Sequence, residues 1–213
     1  MEQPSDWSCF RAPGTALLVG GTGAGKSHLM AQIIENRGAL FDKPIVDVIW
    51  HYTEEGAVPS HLTDHGVTFK QGAPLLEDYP PGEGLKILVL DDMLADVNKE
   101  IVNFFLKGSH HRGLHVFLLV QNLYNKKIRE ISLNSHVVIV FKSRRDLSQI
   151  RHFCMQVDPA NWRSVFASYR DATDEPGHRY LLFDFHVKTP DHLRYRTHIL
   201  PGEKQIVYVI KKV

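Results

Sequence analysis

The 213-residue chain is 43% hydrophobic and 23% charged, with 15 Gly and 11 Pro, a composition that excludes disordered, collagenous and coiled-coil classes. Its length suits one α/β domain better than two, so we expect a single domain across all 213 residues, with a core at 14–157 and edge strands at 158–213. The formal net charge of +1 conceals a basic middle piece, because residues 107–152 carry nine Lys/Arg against two Asp/Glu; charge alone assigns no partner.

Short apolar runs alternate with amphipathic segments through the first three quarters of the chain. This alternation is typical of βα units that build a mostly parallel sheet. In chain order, strands are predicted at residues 15–19, 45–50, 86–90, 114–120 and 136–141, with a further candidate at 67–70 inside the long connection 52–84. Helices are predicted at residues 27–36, 98–107 and 146–156, with another short helix before residue 136.

The last quarter of the chain has a different character. Proline and Pro-Gly turns at Pro190 and at Pro201-Gly202 separate three strand-like segments, which are residues 180–186, 193–200 and 206–210. We expect these segments to form hairpin strands that are added to the edge of the sheet.

One segment matches the phosphate-binding pattern G-x-x-x-x-G-K-[ST] and lies between a predicted strand and a predicted helix: Gly20, Gly21, Thr22, Gly23, Ala24, Gly25, Lys26 and Ser27. Glycines let backbone N–H groups curl around the β-phosphate, and the helix N-terminus adds positive potential. Lys26 is expected to reach the β- and γ-phosphate oxygens, and the Ser27 hydroxyl to ligate Mg²⁺. The pattern therefore predicts a nucleotide site.

A second motif lies at residues 87–92, where four apolar residues are followed by Asp91 and Asp92. Ligands of open α/β sheets bind at the carboxyl ends of the strands. Asp91 is predicted to hold the hydration shell of Mg²⁺, and Asp92 to orient or deprotonate the attacking water. Paired carboxylates favour hydrolysis, but a small-molecule kinase can use an acid at the same place, so the pair leaves the acceptor open.

Gln121 closes the predicted strand at 114–120, where an amide can touch both the γ-phosphate and the attacking water. A GTPase assignment fails on base recognition. The nearest match to the guanine-reading pattern N-K-x-D, at residues 125–128, lacks the Asp. ATP is therefore the expected nucleotide.

These motifs occur together with two more specific stretches, GSHHRGLHVFLLVQNLY at residues 108–124 and IREISLNSHVVIVFKSRRDLSQI at 128–150. In this combination the chain resembles the genome-packaging ATPases of eukaryotic DNA viruses and Polinton-type elements, a poxvirus-like group of the FtsK-HerA superfamily of DNA-pumping motors. The resemblance spans about residues 14–210. It implies an α/β fold, the P-loop NTPase three-layer sandwich with a mostly parallel central sheet and C-terminal added hairpin strands.

Carried over by position, the resemblance implies roles for residues already singled out: phosphate and Mg²⁺ contacts for Lys26 and Ser27, metal contact for Asp91, catalytic acid for Asp92 and sensor for Gln121. It also implies an arginine finger supplied in trans by a neighbouring subunit, a group that can be worth ~10³-fold or more in rate. The candidates for that arginine are Arg112 and its rivals Arg129, Arg144 and Arg145.

The partners implied by the resemblance are double-stranded DNA, other copies of the chain in a homo-oligomeric ring, and a capsid or portal protein. Loops in the pore of such a ring can grip a polyanion without a basic exterior. The candidate contacts with DNA or with a neighbouring subunit are Lys126, Lys127, Arg129, Lys142, Arg144, Arg145 and Arg151.

The expected location is inside the infected host cell, without membrane contact. No apolar run approaches the roughly 18 residues that span a bilayer, and the first ten residues lack the basic and apolar regions of a secretory signal. Cys9 and Cys154 are too few for a disulfide framework, so we expect free thiols in a reducing compartment.

Two other functions remain open on the sequence. A nucleoside-type phosphotransferase would need an acceptor pocket and an arginine-bearing lid, and the sequence offers Arg112 without a convincing lid. A nucleotide-gated interaction protein would bind ATP and hydrolyse it negligibly, and the intact Asp92 and Gln121 argue against that function.

Overall fold

The computed structural model contains a nine-stranded sheet. The structure describes residues 9–53, 58–93, 99–123 and 126–211, apart from the side chains of His110, Lys126 and Lys127. The contacts predicted for Lys126 and Lys127 therefore lie outside the described residues. So do the first residue of the helix predicted at 98–107 and the first residue of the 125–128 segment.

The sheet has the order β3-β2-β4-β5-β1-β6-β7-β8-β9. Its strands are β1 (Gly14–Val19), β2 (Ile45–Tyr52), β3 (Val67–Gln71), β4 (Leu85–Asp91), β5 (Leu114–Val120), β6 (Val137–Phe141), β7 (Tyr180–Asp184), β8 (Tyr195–Thr197) and β9 (Ile206–Val207). The first six strands in the order pair in parallel, and β7, β8 and β9 add antiparallel pairings to β6. The predicted mostly parallel sheet with hairpin strands at its C-terminal edge is confirmed, although β8 and β9 are shorter than expected.

Helices cover both faces of the sheet, and each face has its own apolar core. The α-helices are α1 (Lys26–Glu35), α2 (Arg37–Leu40), α3 (Lys99–Asn103), α4 (Ser109–Arg112), α5 (Lys126–Leu133), α6 (Leu147–Val157) and α7 (Trp162–Asp174). Buried residues of α1 and α2 belong to the core of one face, and those of α3, α5, α6 and α7 to the core of the other. Within the described ranges, no helix combines the length and apolar character needed to cross a bilayer.

Three helical features differ from the prediction. The helix expected at 98–107 continues past its predicted end, because a π-helical segment at Phe104–Gly108 leads directly into α4 and buries Phe104 and Phe105. The 13-residue helix α7 lies in the region predicted to contain only edge strands. Gly38, the predicted end of the first helix, lies inside the short helix α2.

Parallel pairing brings the carboxyl ends of three strands to one edge of the sheet. Val19 of β1 pairs with Val120 of β5, and Leu119 pairs with Asp91 of β4. Because β5 lies between β1 and β4, whatever follows β5 sits between the loop after β1 and the carboxylates that end β4.

Candidate active site

The loop between β1 and α1 has the backbone of a phosphate cradle. Gly23 and Gly25 have φ angles of 76° and 101°, in the left-handed region that L side chains rarely adopt. The N–H of Gly20 donates to the Val120 carbonyl over 3.1 Å, which ties the loop to the end of β5. Gly25 is the N-cap residue immediately before α1 and offers no side-chain cap, and no acidic residue lies in the first turn of the helix. The first amides of α1 are thus available to an anion.

Lys26 lies against this loop. Its Nζ donates to the carbonyl oxygens of Gly20 at 2.7 Å and Gly21 at 3.3 Å. Burial lowers the pKa of Lys26, while the carboxylates of Asp91 and Asp92 act in the opposite direction. The ammonium is held close to the phosphate cradle by carbonyls that a phosphate oxygen can replace.

Ser27 and Asp91 form the second part of the site. The Ser27 hydroxyl donates to Oδ2 of Asp91 over 3.2 Å, across the gap between α1 and β4. Burial raises the pKa of Asp91 to about 6, against the lowering effects of the Ser27 hydrogen bond and of Lys26. A hydroxyl and a carboxylate oxygen are ligands that Mg²⁺ prefers, so these two residues fit the metal predicted here.

The described residues contain no group of three or more His, Cys, Asp and Glu arranged to hold a metal ion. A Mg²⁺ site of this kind needs no such group, because Mg²⁺ keeps several waters and takes its other ligands from one or two side chains and substrate phosphates.

Asp92 and Gln121 form the third part of the site, at the solvent-exposed sheet edge. The Gln121 amide donates from Nε2 to both Asp92 carboxylate oxygens, at 3.3 and 3.4 Å. Asp92 has a φ of 52°, a left-handed conformation unusual for a residue other than glycine. Residues in such conformations concentrate at functional sites. The turn out of β4 thus leaves the Asp91 carboxyl buried beside Ser27 and the Asp92 carboxyl beside Gln121.

Arg112 lies away from this constellation, just before the start of β5 and therefore at the opposite edge of the sheet. Its Nη1 donates to the carbonyl oxygens of Leu76 at 2.7 Å and of Tyr79 at 2.6 Å. These bonds tie the guanidinium to the connection between β3 and β4 in its own chain. A role for Arg112 in a neighbour's site stays a prediction, and the two hydrogen bonds count against it.

The other predicted basic residues are scattered. Arg129 is exposed on α5, and Arg144 and Arg145 are exposed in the connection between β6 and α6. Lys142 donates from Nζ to the Asp174 carbonyl over 3.1 Å. The Arg151 guanidinium carbon lies 4.8 Å from the centre of the Trp162 ring.

His178 also lies at the site and was not predicted from the sequence. This side chain lies so close to Gly25 that a Cβ atom at position 25 would be 2.4 Å from Cγ of His178. The contact is between residues that are far apart in the sequence. It forms because β7 pairs with β6, and β6 pairs with β1, the strand that precedes the loop. No local sequence signal marks it, because the pattern around His178 is that of an ordinary turn.

Comparisons with known proteins bear on the fold. No protein-family model matches the sequence, and no curated protein matches it significantly. Among solved structures, the genome packaging NTPase B204 from Sulfolobus turreted icosahedral virus 2, in complex with ATP-gammaS, is similar at a TM-score of 0.52 and 13% identity, over 94% of this chain and 98% of that one.

Two further structures are similar to the same degree. The DNA-packaging ATPase B204 from Sulfolobus Turreted Icosahedral Virus has a TM-score of 0.52 at 10% identity, over 95% of this chain and 100% of that one. The cytoplasmic domain of the Thermomonospora curvata Type VII secretion ATPase EccC has a TM-score of 0.52 at 14% identity, over 94% of this chain and 25% of that one. The chain therefore has the P-loop NTPase fold, and structures similar to it include viral packaging NTPases.

Proposed function

We propose that this chain is the subunit of an ATP-driven motor that moves double-stranded DNA and packages a viral genome into a capsid. The observation that carries the proposal is the arrangement of Lys26, the Ser27–Asp91 pair and the Asp92–Gln121 pair around one phosphate cradle. Two of the similar structures are packaging NTPases, which supports the task assigned to the motor.

Each part of the arrangement has one duty in ATP hydrolysis. The amides of the loop and the Lys26 ammonium bind the β- and γ-phosphates. Ser27 and Asp91 would hold Mg²⁺, which supplies positive charge to the phosphate oxygens when bound. Asp92 accepts the proton of the attacking water or orients that water. Gln121 donates hydrogen bonds to the Asp92 carboxylate. Its assigned role is to sense the γ-phosphate.

A neighbouring subunit would complete the site. Among the described residues, no arginine forms a hydrogen bond or ion pair with Asp92 or Gln121. An arginine supplied in trans would neutralise the charge that develops on the transferred phosphoryl group. This requirement supports a homo-oligomer. The proposal places that oligomer as a ring around DNA, docked on a capsid or portal protein in the infected host cell.

The test is ATP hydrolysis measured against protein concentration in the presence of Mg²⁺, with and without linear double-stranded DNA. A site shared between subunits predicts turnover per subunit that rises with concentration and rises further with DNA. Phosphate transfer to an added nucleoside would instead support the phosphotransferase alternative. ATP binding without turnover at any concentration, with DNA present, would support the nucleotide-gated alternative.

A further inference from the structure

An open cleft continues from the phosphate loop on the side away from the catalytic carboxylates. It is lined by residues 21–24 of the loop, 142–146 after β6, and 177–178 before β7. Asp91 and Asp92 lie on the opposite side, toward β4. A triphosphate bound on the loop with its γ-phosphate near Asp92 must extend its sugar and base away from β4. This cleft is the open space on that side of the loop.

His178 forms one wall of the cleft and rests on the loop backbone. A Cβ atom at position 25 would lie 2.4 to 2.6 Å from Cγ, Cβ and Nδ1 of His178, so only glycine leaves room for the ring. The imidazole is nevertheless exposed to solvent, and its centre lies 5.7 Å from that of the His28 ring. An exposed aromatic ring held against the phosphate loop is a surface on which another ring can stack.

The imidazole of His178 is also available for new contacts. No hydrogen bond or ion pair involving its side chain occurs within the part of the chain that the structure describes. The facing wall contains Arg144 and Arg145, both exposed and without an ion-pair partner among the described residues. If a base lay between this wall and the imidazole, one face of the base would lose its contact with water and stack on the imidazole ring.

We propose that His178 is the platform on which the base of the bound nucleotide stacks, and hence the residue that gives the phosphate site its preference for a nucleotide over inorganic polyphosphate. The proposal rests on the nucleotide binding of the proposed function and assigns the base to one side chain. Stacking of a base on an aromatic side chain corresponds to about tenfold in affinity.

The test compares the binding of ATP and of inorganic tripolyphosphate, both with Mg²⁺, by calorimetry. His178→Ala should weaken ATP binding about tenfold and leave tripolyphosphate binding unchanged, because tripolyphosphate has no base. His178→Phe should retain the affinity for ATP, because a flat ring remains. His61→Ala, at an exposed histidine on a separate 3-10 helix, is the matched control and should alter neither affinity.

Three outcomes would overturn the platform. Equal weakening of ATP and tripolyphosphate in His178→Ala would mean that the ring only supports the loop, and unchanged ATP binding would mean that the base lies elsewhere. Equal affinity of the unaltered protein for ATP and tripolyphosphate would mean that the base makes no favourable contact, although the phosphate site itself would still be supported. Failure of the proposed function is distinguishable, because the unaltered protein would then bind neither ligand, or Lys26→Ala would bind both as tightly as the unaltered protein.

Discussion

The buried carboxyl of Asp91 is unfavourable for the fold and necessary for the proposed chemistry. Its pKa rises from 3.8 to about 6 in the folded chain, chiefly through burial. The folded state therefore prefers the protonated form, and the free energy of unfolding falls as the pH rises from about 4 to about 6. Above that range the loss of unfolding free energy is complete, so the unliganded protein is destabilised by its full amount at pH 7.

Replacing Asp91 by Asn should remove this loss. In the absence of Mg²⁺ and nucleotide, Asp91→Asn should raise the free energy of unfolding at pH 7 by roughly 1–3 kcal/mol and by much less at pH 4, where the loss caused by the Asp91 carboxyl has only begun. Urea denaturation at the two pH values measures the difference. A gain of equal size at both pH values would mean that the charge of Asp91 is not its source.

Asp92 should matter for turnover and not for binding. Asp92→Asn keeps the shape of the side chain but removes the base, so ATP hydrolysis should fall by roughly 10²–10⁴-fold. Calorimetric ATP affinity should stay within a few-fold of that of the unaltered protein. Asp64→Asn, at an exposed position on the 3-10 helix Ser60–His65, serves as the control. Unchanged turnover in Asp92→Asn would exclude the catalytic role.

Gly25 and Gly21 lie in the same loop and should respond differently to alanine. A methyl group at position 25 meets the His178 ring at a φ of 101°, whereas one at position 21 has no atom within 4 Å. Gly25→Ala should lower the free energy of unfolding by about 1–3 kcal/mol, and Gly21→Ala by much less. Adding His178→Gly to Gly25→Ala should recover the steric part of the loss, because the methyl group meets Cβ as well as the ring of His178, and should leave the backbone part. Thermal unfolding of the four proteins measures this, and equal losses at positions 21 and 25 would contradict it.

At the scale of elements, Arg112 fastens the connection between β3 and β4. The Tyr79 carbonyl accepts from Arg112, and the Tyr79 hydroxyl lies 2.6 Å from Nε2 of His51 on β2. The His51 ring reaches the Gly72 carbonyl at 2.7 Å through Nδ1. The connection is therefore attached to the sheet at both of its ends.

Removal of Arg112 should consequently destabilise the chain on its own. Arg112→Ala should lower the free energy of unfolding by about 2 kcal/mol, because the part-buried carbonyls of Leu76 and Tyr79 lose a charged donor. Arg129→Ala, at an exposed position, should cost much less. The trans role is tested separately by mixing Arg112→Ala with Lys26→Ala subunits. Recovery of ATP hydrolysis in the mixture would support that role, and no recovery at any ratio would leave Arg112 with the structural one.

The elements predicted best are the buried strands and the glycine-rich loop between β1 and α1. A parallel strand covered on both faces is a short apolar run, and the phosphate pattern specifies its own backbone. Since parallel strands end at one edge, the meeting of Lys26, Asp91 and Gln121 also follows from the sequence.

Helix α7 and the His178 contact were not predicted, for different reasons. The helix has apolar residues at helical spacing, Val165, Tyr169 and Ala172, so its signal was present and was overlooked in a region assigned to strands. The contact between His178 and Gly25 depends on how β7 turns back along β6, which no local pattern contains.

At the scale of the whole molecule, the basic residues are distributed over several surfaces. One of these surfaces is the end of the α6–α7 pair, where the guanidinium carbons of Arg151 and Arg163 lie 4.8 and 4.7 Å from the centre of the Trp162 ring. Neither arginine has an ion-pair partner among the described residues. Two exposed, ordered guanidiniums without a counter-charge suit the phosphates of a DNA backbone.

If these arginines bind DNA, the double variant Arg151→Ala/Arg163→Ala should weaken binding to linear double-stranded DNA. The slope of log affinity against log salt concentration should fall by the equivalent of about two phosphate contacts. ATP hydrolysis without DNA should not change. Arg170→Ala, also exposed on α7 but without the tryptophan contact, should have little effect. Fluorescence anisotropy across a salt series measures both quantities. An unchanged salt slope would exclude the α6–α7 end as a DNA contact.

The order of strands in the sheet has a consequence for how the chain is made. The strand that carries the phosphate loop, β1, is synthesised first but pairs only with β5 and β6, about a hundred residues later. At translation rates of about 5–20 residues per second, β1 waits roughly 5–20 s with the backbone N–H and C=O groups of both its edges unpaired. During that time the nascent chain is exposed to aggregation. A fragment that ends before residue 114 has no partner strand for β1, so the phosphate loop has a stable scaffold only once most of the chain has left the ribosome.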